Sequence, residues 1–455
     1  MPYIKFNLSR NRSDDVITFL KSELPSVEYE KFITRDPKSI GIKIYLDNFR
    51  QWIRAKKIKE DLGLTEQDIW DETFDLTVDS MPVLKKLTEE YEATKPFEGK
   101  TMLVNTHLKE NTAVLCYALK SGGADLVIVP VPYSGDEVVY DVLVENDYKI
   151  YGKARMSYDE MEDAIDESLS EAEADIILED GLWITRHIIE QNLNSAAIIG
   201  SVEQTKAGVN LVFELSEKLK YPVITVGNAE LKELAESSLA TPEAVVKMII
   251  QAANWSLAGK ILTIVGYGPV GSGIAKIARS HSARVYIVEK DIMRVLKAIL
   301  DGFDVRELST AIRISDILVT ATGRKNVVSV DELKIAKDGI LLVNAGSKDY
   351  EIDVKGLRAL AETEKITSRE GLKKYFIKGE EGERKMLVVA ADGFPINLAL
   401  GEGTPSDAID ITLSLMAEAA RYLVEHKIPT GIHDLPREIQ EKTAQMKLES
   451  LRYSL

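Results

Sequence analysis

Along the chain, short apolar runs rich in valine and isoleucine alternate with stretches in which apolar residues recur at helical spacing. Between Met81 and Val226 the runs are TMLV at 101–104, ADLVIVPV at 124–131, KIYG at 149–152, ADIILED at 174–180, AAIIG at 196–200 and YPVITV at 221–226. A strand that is apolar at successive positions, rather than alternate ones, is buried on both faces, as in a parallel sheet covered by helices. A second series follows a helix predicted over 241–257, for which Thr241, Pro242 and Glu243 supply a cap and first turn. Its runs are KILTIVGYG at 260–268, ARVYIVEKD at 283–291, DILVTATG at 316–323 and GILLVNAGS at 339–347. The pattern predicts an α/β protein with two doubly wound, Rossmann-like parallel-sheet domains and a cleft between them, where open sheets of this kind place ligands.

The two ends of the chain read differently. Residues 1–80 form a small N-terminal α/β extension: an alternating run from Tyr3 to Leu8, then a helix signal that opens at Ser13, Asp14 and Asp15 and runs through Phe19 to Leu24. Residues 81–240 with 391–425 make up the first domain and residues 241–390 the second. Residues 426–455 are a charged, helix-favouring tail, read as a surface helix or an oligomer contact.

At 455 residues and 45% apolar, the chain is long enough to bury more than one core. A net charge of −16 disfavours nucleic acid and anionic membrane as main partners, since both are bound by a basic face. Cys116 is the one cysteine, so neither an intrachain disulfide nor a thiolate metal cluster is expected, and a reducing compartment, the cytoplasm, fits. The five histidines have no metal-binding spacing, and no apolar run reaches the ~18 residues of a membrane span.

The sharpest local signal is Gly266-Tyr267-Gly268-Pro269-Val270-Gly271, which follows a predicted strand over 261–265 and opens a predicted helix over 272–281. The first glycine permits the tight turn, the second lets backbone approach a pyrophosphate, and the third, with Gly273 beside it, allows close helix packing. Glu289 ends the next strand eighteen residues after Gly271, where a carboxylate accepts hydrogen bonds from a ribose diol and repels a 2′-phosphate. The motif predicts bound NAD rather than NADP.

These segments resemble the NAD domain of the S-adenosylhomocysteine hydrolase family. They include GKILTIVGYGPVGSGIAKIAR, ILVTATGRKNV and NAGSKDYEIDVKGL, and the likeness extends through NTHLKENTAVL, ILEDG, GSVEQTKAG and INLALGEGTPS, about Met81 to Leu423. The resemblance implies a hydrolase of one-carbon metabolism in which NAD transiently oxidises a ribose 3′-hydroxyl, a thioether is eliminated from C5′, water adds and the ketone is reduced. It implies acid and base roles for His107 and Asp180, and for Lys232 assistance in removing the 3′-hydroxyl proton. It places Thr112, Gln204, Thr205, Glu236 and Thr404 around a small nucleoside-type substrate, and Gly266, Gly268, Gly271, Glu289, Thr320, Thr322, Asn344 and Asn397 around NAD. It also implies a homo-oligomer, a dimer or tetramer.

Several positions depart from the family pattern. Gln204 stands for a glutamate, Glu236 for an aspartate, Ser237 for an asparagine, and Ser347 and Thr404 each for a histidine. Lys109, Lys206 and Arg324 add positive charge where the family is neutral, and the tail KLESLRYSL lacks a match to the Lys and Tyr lent to a neighbouring subunit. The NAD side is kept while the ribose and base side is altered. Three readings stay open: a nucleoside thioether hydrolase of changed base or substituent specificity, an inactive NAD-binding regulatory paralogue, and an NAD-dependent dehydrogenase of another small alcohol.

Overall fold

In the computed structural model, residues 3–9, 29–33, 39–45 and 75–452 are described, with side chains described from Leu76 onward. The chain divides into two compact units, Met1–Ser80 and Met81–Leu455. In the first, β1 (Tyr3–Ser9), β2 (Tyr29–Ile33) and β3 (Ser39–Tyr45) form an antiparallel sheet ordered β1-β3-β2, with Tyr3 opposite Tyr45 and Tyr29 opposite Ile44. The helix expected from Ser13 to Leu24 lies outside the described residues.

The second unit holds two sheets. One is built from β4 (Thr101–Asn105), β5 (Asp125–Ile128), β6 (Lys149–Ile150), β7 (Ile176–Glu179), β8 (Gly200–Glu203) and β9 (Pro222–Thr225). The other begins with β10 (Ile261–Val265), β11 (Arg284–Val288), β12 (Asp304–Val305), β13 (Ile317–Thr320) and β14 (Leu341–Asn344). It continues with β15 (Thr363–Ile366), β16 (Leu372–Lys378) and β17 (Arg384–Ala390). Its order is β12-β11-β10-β13-β14-β17-β16-β15. The first six strands of that order pair in parallel, as the apolar runs predict, whereas β16 and β15 are antiparallel. The turn Gly379–Glu383 is too short for a crossover, so β17 must return beside β16 in the opposite sense.

The first sheet is parallel throughout and ordered β18-β9-β8-β7-β4-β5-β6, its edge strand β18 (Gly431–Asp434) coming from the tail. The tail also carries helix Arg437–Ser450, packed on helices Pro82–Thr94 and Ser406–Glu425. One buried group ties these together. Asp410, fully buried, accepts from the Val83 and Leu84 N–H groups at 3.1 and 2.9 Å and from Lys447 Nζ at 3.1 Å. It caps a helix whose own N-cap, Met81, has no side-chain acceptor. Asp410→Ala therefore leaves buried donors unpaired, and a loss of about 1–3 kcal/mol is expected, read as a lower urea midpoint at unchanged slope.

Thr241 does not begin a helix. Glu230–Lys232, a π-helical stretch Glu233–Ala240 and helix Thr241–Ala253 run on from one another, with Ala240 and Thr241 both helical (φ −75° and −61°). Pro242 has no N–H for the Ser238 carbonyl and its ring would crowd that carbonyl in a regular helix, and the wider π turn accommodates both. A Cβ on Gly273 would come within 2.4 Å of the Pro242 ring and 2.6 Å of Ser238 O, so this irregular turn lies directly against the fingerprint helix. Among the described residues no helix is long and apolar enough to cross a membrane.

Candidate active site

In both sheets the chain leaves two neighbouring strands toward opposite sides, at β4 and β7 in the first and at β10 and β13 in the second. Such switch points open a crevice at the carboxyl ends of the strands. His107 follows β4, Asp180 follows β7, Gly266 follows β10, and Thr320 and Thr322 end and follow β13.

At the second switch point the glycines fit a dinucleotide for three separate reasons. Gly266 has φ +102°, and a Cβ there would lie 2.7 Å from Ala321 O. A Cβ on Gly271 would lie 2.0 Å from Gly266 O, so backbone crosses backbone at that point. At Gly268 the nearest atom is Arg294 Nη1 at 3.7 Å, which leaves room before helix Pro269–Ser280, whose N-terminus has no side-chain cap. This combination of open approach and uncapped helix end suits a diphosphate. Glu289 accepts from the N–H groups of Tyr267 (2.7 Å), Lys290 (2.7 Å) and Asp291 (3.0 Å). Burial raises its pKa, and these hydrogen bonds, with Arg294, outweigh it and leave the carboxyl below its usual range.

The other residues expected around NAD shape loops. Asn344, fully buried, donates to Lys348 O (2.6 Å) and Gly393 O (2.8 Å) and accepts from Gly346 N (2.7 Å) and, more weakly, from Thr320 Oγ1 (3.4 Å). Thr322 donates through Oγ1 to Glu351 at 2.8 Å, and Glu351 also accepts from Gly323 N at 2.7 Å. Asn397 is buried, and its carbonyl accepts from Gly403 N at 2.9 Å.

At the first switch point, the Asp180 N–H donates to Asn105 O at 2.9 Å, which sets the residue after β7 beside the end of β4. His107 Nε2 is 3.6 Å from Asp180 Oδ2, and His107 Nδ1 is bonded to Ser134 Oγ. Both residues are buried. Burial lowers the His107 pKa, against the opposing pull of Asp180, so the ring is neutral at pH 7. The Asp180 carboxyl is raised, by burial first, with His107 and Lys232 opposing. Lys232, also buried, stands 3.5 Å from Glu236 Oε1 and 3.4 Å from Ser237 Oγ, while Glu236 accepts from Thr412. His107, Asp180, Lys232 and Glu236 thus share one buried electrostatic environment.

The flanking polar residues divide by what their atoms already hold. Thr112 Oγ1 donates to His107 O at 2.6 Å, fixing the turn that carries the imidazole. Thr205 caps helix Lys206–Glu214, accepting from Gly208 N at 3.1 Å and donating to Glu203 at 2.7 Å. Thr404 Oγ1 pairs with Thr241 Oγ1 at 3.2 Å. Gln204 Oε1, by contrast, is buried with no hydrogen-bond partner, a condition that costs free energy unless something fills it. Of the three added cations, Lys206 and Arg324 are exposed. Lys109 is not: its side chain is 11% exposed and Nζ donates to Gly401 O at 3.1 Å.

Some site residues carry no local sequence signal. Glu203 accepts from Gly181 N (3.0 Å) and Leu182 N (2.8 Å), orienting the turn after Asp180. Tyr133 donates to Ser347 O at 3.2 Å and stacks on Phe394, and Tyr158 donates to Asp349 at 3.1 Å and stacks on Trp183. Lys348 reaches across to Gly181 O at 3.1 Å. These contacts join segments far apart in the chain, which the fold brings together.

A two-lobed α/β protein with a dinucleotide turn on one lobe and a buried His–Asp–Lys cluster on the other is the class these features define. Residues 60–221 match S-adenosyl-L-homocysteine hydrolase, and residues 238–403 match the S-adenosyl-L-homocysteine hydrolase NAD binding domain. The chain belongs to the S-adenosyl-L-homocysteine hydrolase family, and its cofactor is NAD. The match starts at residue 60, upstream of the Met81 limit read from the sequence. It is 35% identical over 402 residues to an adenosylhomocysteinase of Sulfolobus acidocaldarius, covering 86% of this chain and 94% of that one. It is 36% identical over 383 residues to an S-inosyl-L-homocysteine hydrolase of Methanopyrus kandleri, covering 83% and 89%.

Proposed function

We propose that the protein hydrolyses a nucleoside thioether and that its base or substituent preference differs from that of adenosylhomocysteinase. The reading is carried by the buried contact of His107 Nε2 with Asp180 Oδ2, with Lys232 and Glu236 in the same field. When bound, NAD supplies a hydride acceptor for a ribose 3′-hydroxyl. Lys232, beside the Glu236 carboxylate, takes part in removing the hydroxyl proton, and Asp180 and His107 handle protons at C4′ and C5′. The neutral imidazole is anchored through Nδ1 to Ser134, which leaves Nε2 to face the reacting carbon. Gln204, with its unpartnered carbonyl oxygen, accepts from a ribose hydroxyl.

Two features support a changed preference. Lys109 packs against the Gly401–Glu402 loop just before Thr404. The similar proteins are named for two nucleosides, adenosyl and inosyl, which differ in the base. An ammonium and a hydroxyl in that region favour a base or substituent that presents hydrogen-bond acceptors.

The test is incubation of the NAD-loaded protein with S-adenosyl-, S-inosyl- and carboxylated nucleoside thioethers while free thiol and 340 nm absorbance are followed. Thiol release is expected, fastest from a non-adenine or acidic substrate. Persistent absorbance without thiol would make the protein a plain dehydrogenase, and no change in either channel would leave an NAD-binding paralogue without hydrolysis.

A further inference from the structure

Lys348 belongs to the loop between β14 and helix Val354–Leu360, in the lobe that carries the glycine turn, yet its side chain is spent on the other lobe. Nζ donates to Gly181 O at 3.1 Å and lies 3.9 Å from the centroid of the Trp183 ring. Gly181 directly follows Asp180. It has φ +98°, and a Cβ there would lie 3.0 Å from Trp183 Nε1 and 3.2 Å from Lys348 Cε, so glycine is what lets the lysine stem approach so closely.

The loop is held at both sides of the lysine. Asn344 Nδ2 donates to the Lys348 carbonyl at 2.6 Å, while from the opposite lobe Tyr133 donates to Ser347 O at 3.2 Å and Tyr158 to Asp349 at 3.1 Å. This much fixing is more than a solvated lysine receives.

The charges around Asp180 leave Lys348 a distinct part. Lys232 and Glu236 face Asp180 as a pair 3.5 Å apart, one lowering and one raising its pKa, and so offset each other. His107 is neutral above its depressed pKa, and the Glu203 carboxyl, pushed up to about 8 by burial first, repels Asp180 only as it ionises. Lys348 also lowers the Asp180 pKa, by less than His107 and Lys232 do, and it does so from the other lobe. Its own surroundings are Arg186 and Lys325, which disfavour its charge, and Glu203 and Asp180, which favour it. Arg186 is already engaged by Glu162 at 3.0 Å, and Lys325 lies over the Tyr350 ring.

We propose that Lys348 is a positioning residue whose ammonium, delivered from the NAD-binding lobe, holds Asp180 ionised while the two lobes are in contact. The proposal rests on the reading that Asp180 handles a substrate proton, but its test does not require turnover. Burial lowers the Lys348 pKa to about 8, so its charge is present at neutral pH and lost within an accessible range.

The experiment is a carbon-13 NMR titration of NAD-loaded protein carrying carboxyl-labelled aspartate, with the Asp180 resonance assigned by Asp180→Asn. The natural chain is expected to show the Asp180 step and a smaller perturbation near pH 8 as Lys348, and Glu203 beside it, lose their protons. Lys348→Met is expected to raise the Asp180 midpoint by roughly half a unit or more and to reduce the alkaline perturbation, the ordinary effect of losing a nearby cation. Lys348→Arg, which stays charged, is expected to keep the midpoint and to reduce the alkaline perturbation to the part that Glu203 causes. An unmoved midpoint in Lys348→Met, or an alkaline perturbation as large in Lys348→Arg as in the natural chain, overturns the proposal. Should Lys348→Met not fold, the arginine variant alone decides. The shift with no thiol released from any thioether would keep this pairing and discard the hydrolase reading.

Discussion

NAD-loaded protein carrying Asp180→Asn or His107→Ala is expected to release thiol from its nucleoside thioether about 10²-fold or more slowly than the natural chain, with NAD uptake unchanged. The expectation follows from where these groups sit. Asp180→Asn keeps the size of the side chain and the N–H bond to Asn105 O, so the sheet junction survives while the group that exchanges a proton does not. His107→Ala removes the ring but not the carbonyl that Thr112 holds, so the turn after β4 keeps its anchor. Lys232→Met is expected to cost as much in rate, and it differs in stability, because Glu236 is then a buried carboxylate whose remaining partner is Thr412. A melting scan beside the thiol assay separates the two effects. An unchanged rate in any of the three removes that residue from the chemistry.

The parts of this site that were legible in the sequence are those in which one segment determines its own geometry. The valine- and isoleucine-rich runs became strands, because a run apolar on both faces has no stable place except inside a covered sheet. The exception is AAIIG at 196–200, which only leads into β8, starting at Gly200. The glycine turn was legible for the same reason: Gly266 and Gly271 answer steric demands set within a few residues of each other. What lay hidden depends on partners far along the chain. Gly431–Asp434 is short and half polar, and it is a strand because β9 is there to pair with it. Thr241-Pro242 reads as a helix start, and nothing local announces the π turn that carries the helix through it. Lys348 was the largest omission. In NAGSKDYEID it is an ordinary charged loop residue, and it gains meaning only from Gly181, Trp183 and two tyrosines more than 150 positions away. Conversely, Asn344 ends β14 and Thr322 follows β13, and their polar atoms hold Lys348 O and Glu351, a task that pattern alone does not distinguish from ligand contact.

The cofactor turn yields a second large effect, and its two glycines are expected to respond differently. At Gly271 an added methyl would stand 2.0 Å from Gly266 O, and neither piece of backbone can give way without opening the junction of β10 with its helix. Gly271→Ala is therefore expected to lose saturable NAD uptake and melting temperature together. At Gly268 the methyl would meet only the flexible end of Arg294, at 3.7 Å, so Gly268→Ala is expected to fold and melt as the natural chain does. Its methyl nevertheless occupies the space through which a diphosphate approaches the uncapped helix end, and a fall in NAD affinity of about tenfold or more, ~1.4 kcal/mol, is expected in a fluorescence titration. The contrast is what identifies the ligand's place: a residue that can be enlarged at no cost to the fold, but only at a cost to binding, borders empty space that the cofactor uses. Undiminished affinity in Gly268→Ala would move the diphosphate away from this turn, and with it the position of the nicotinamide relative to Lys232, His107 and Asp180.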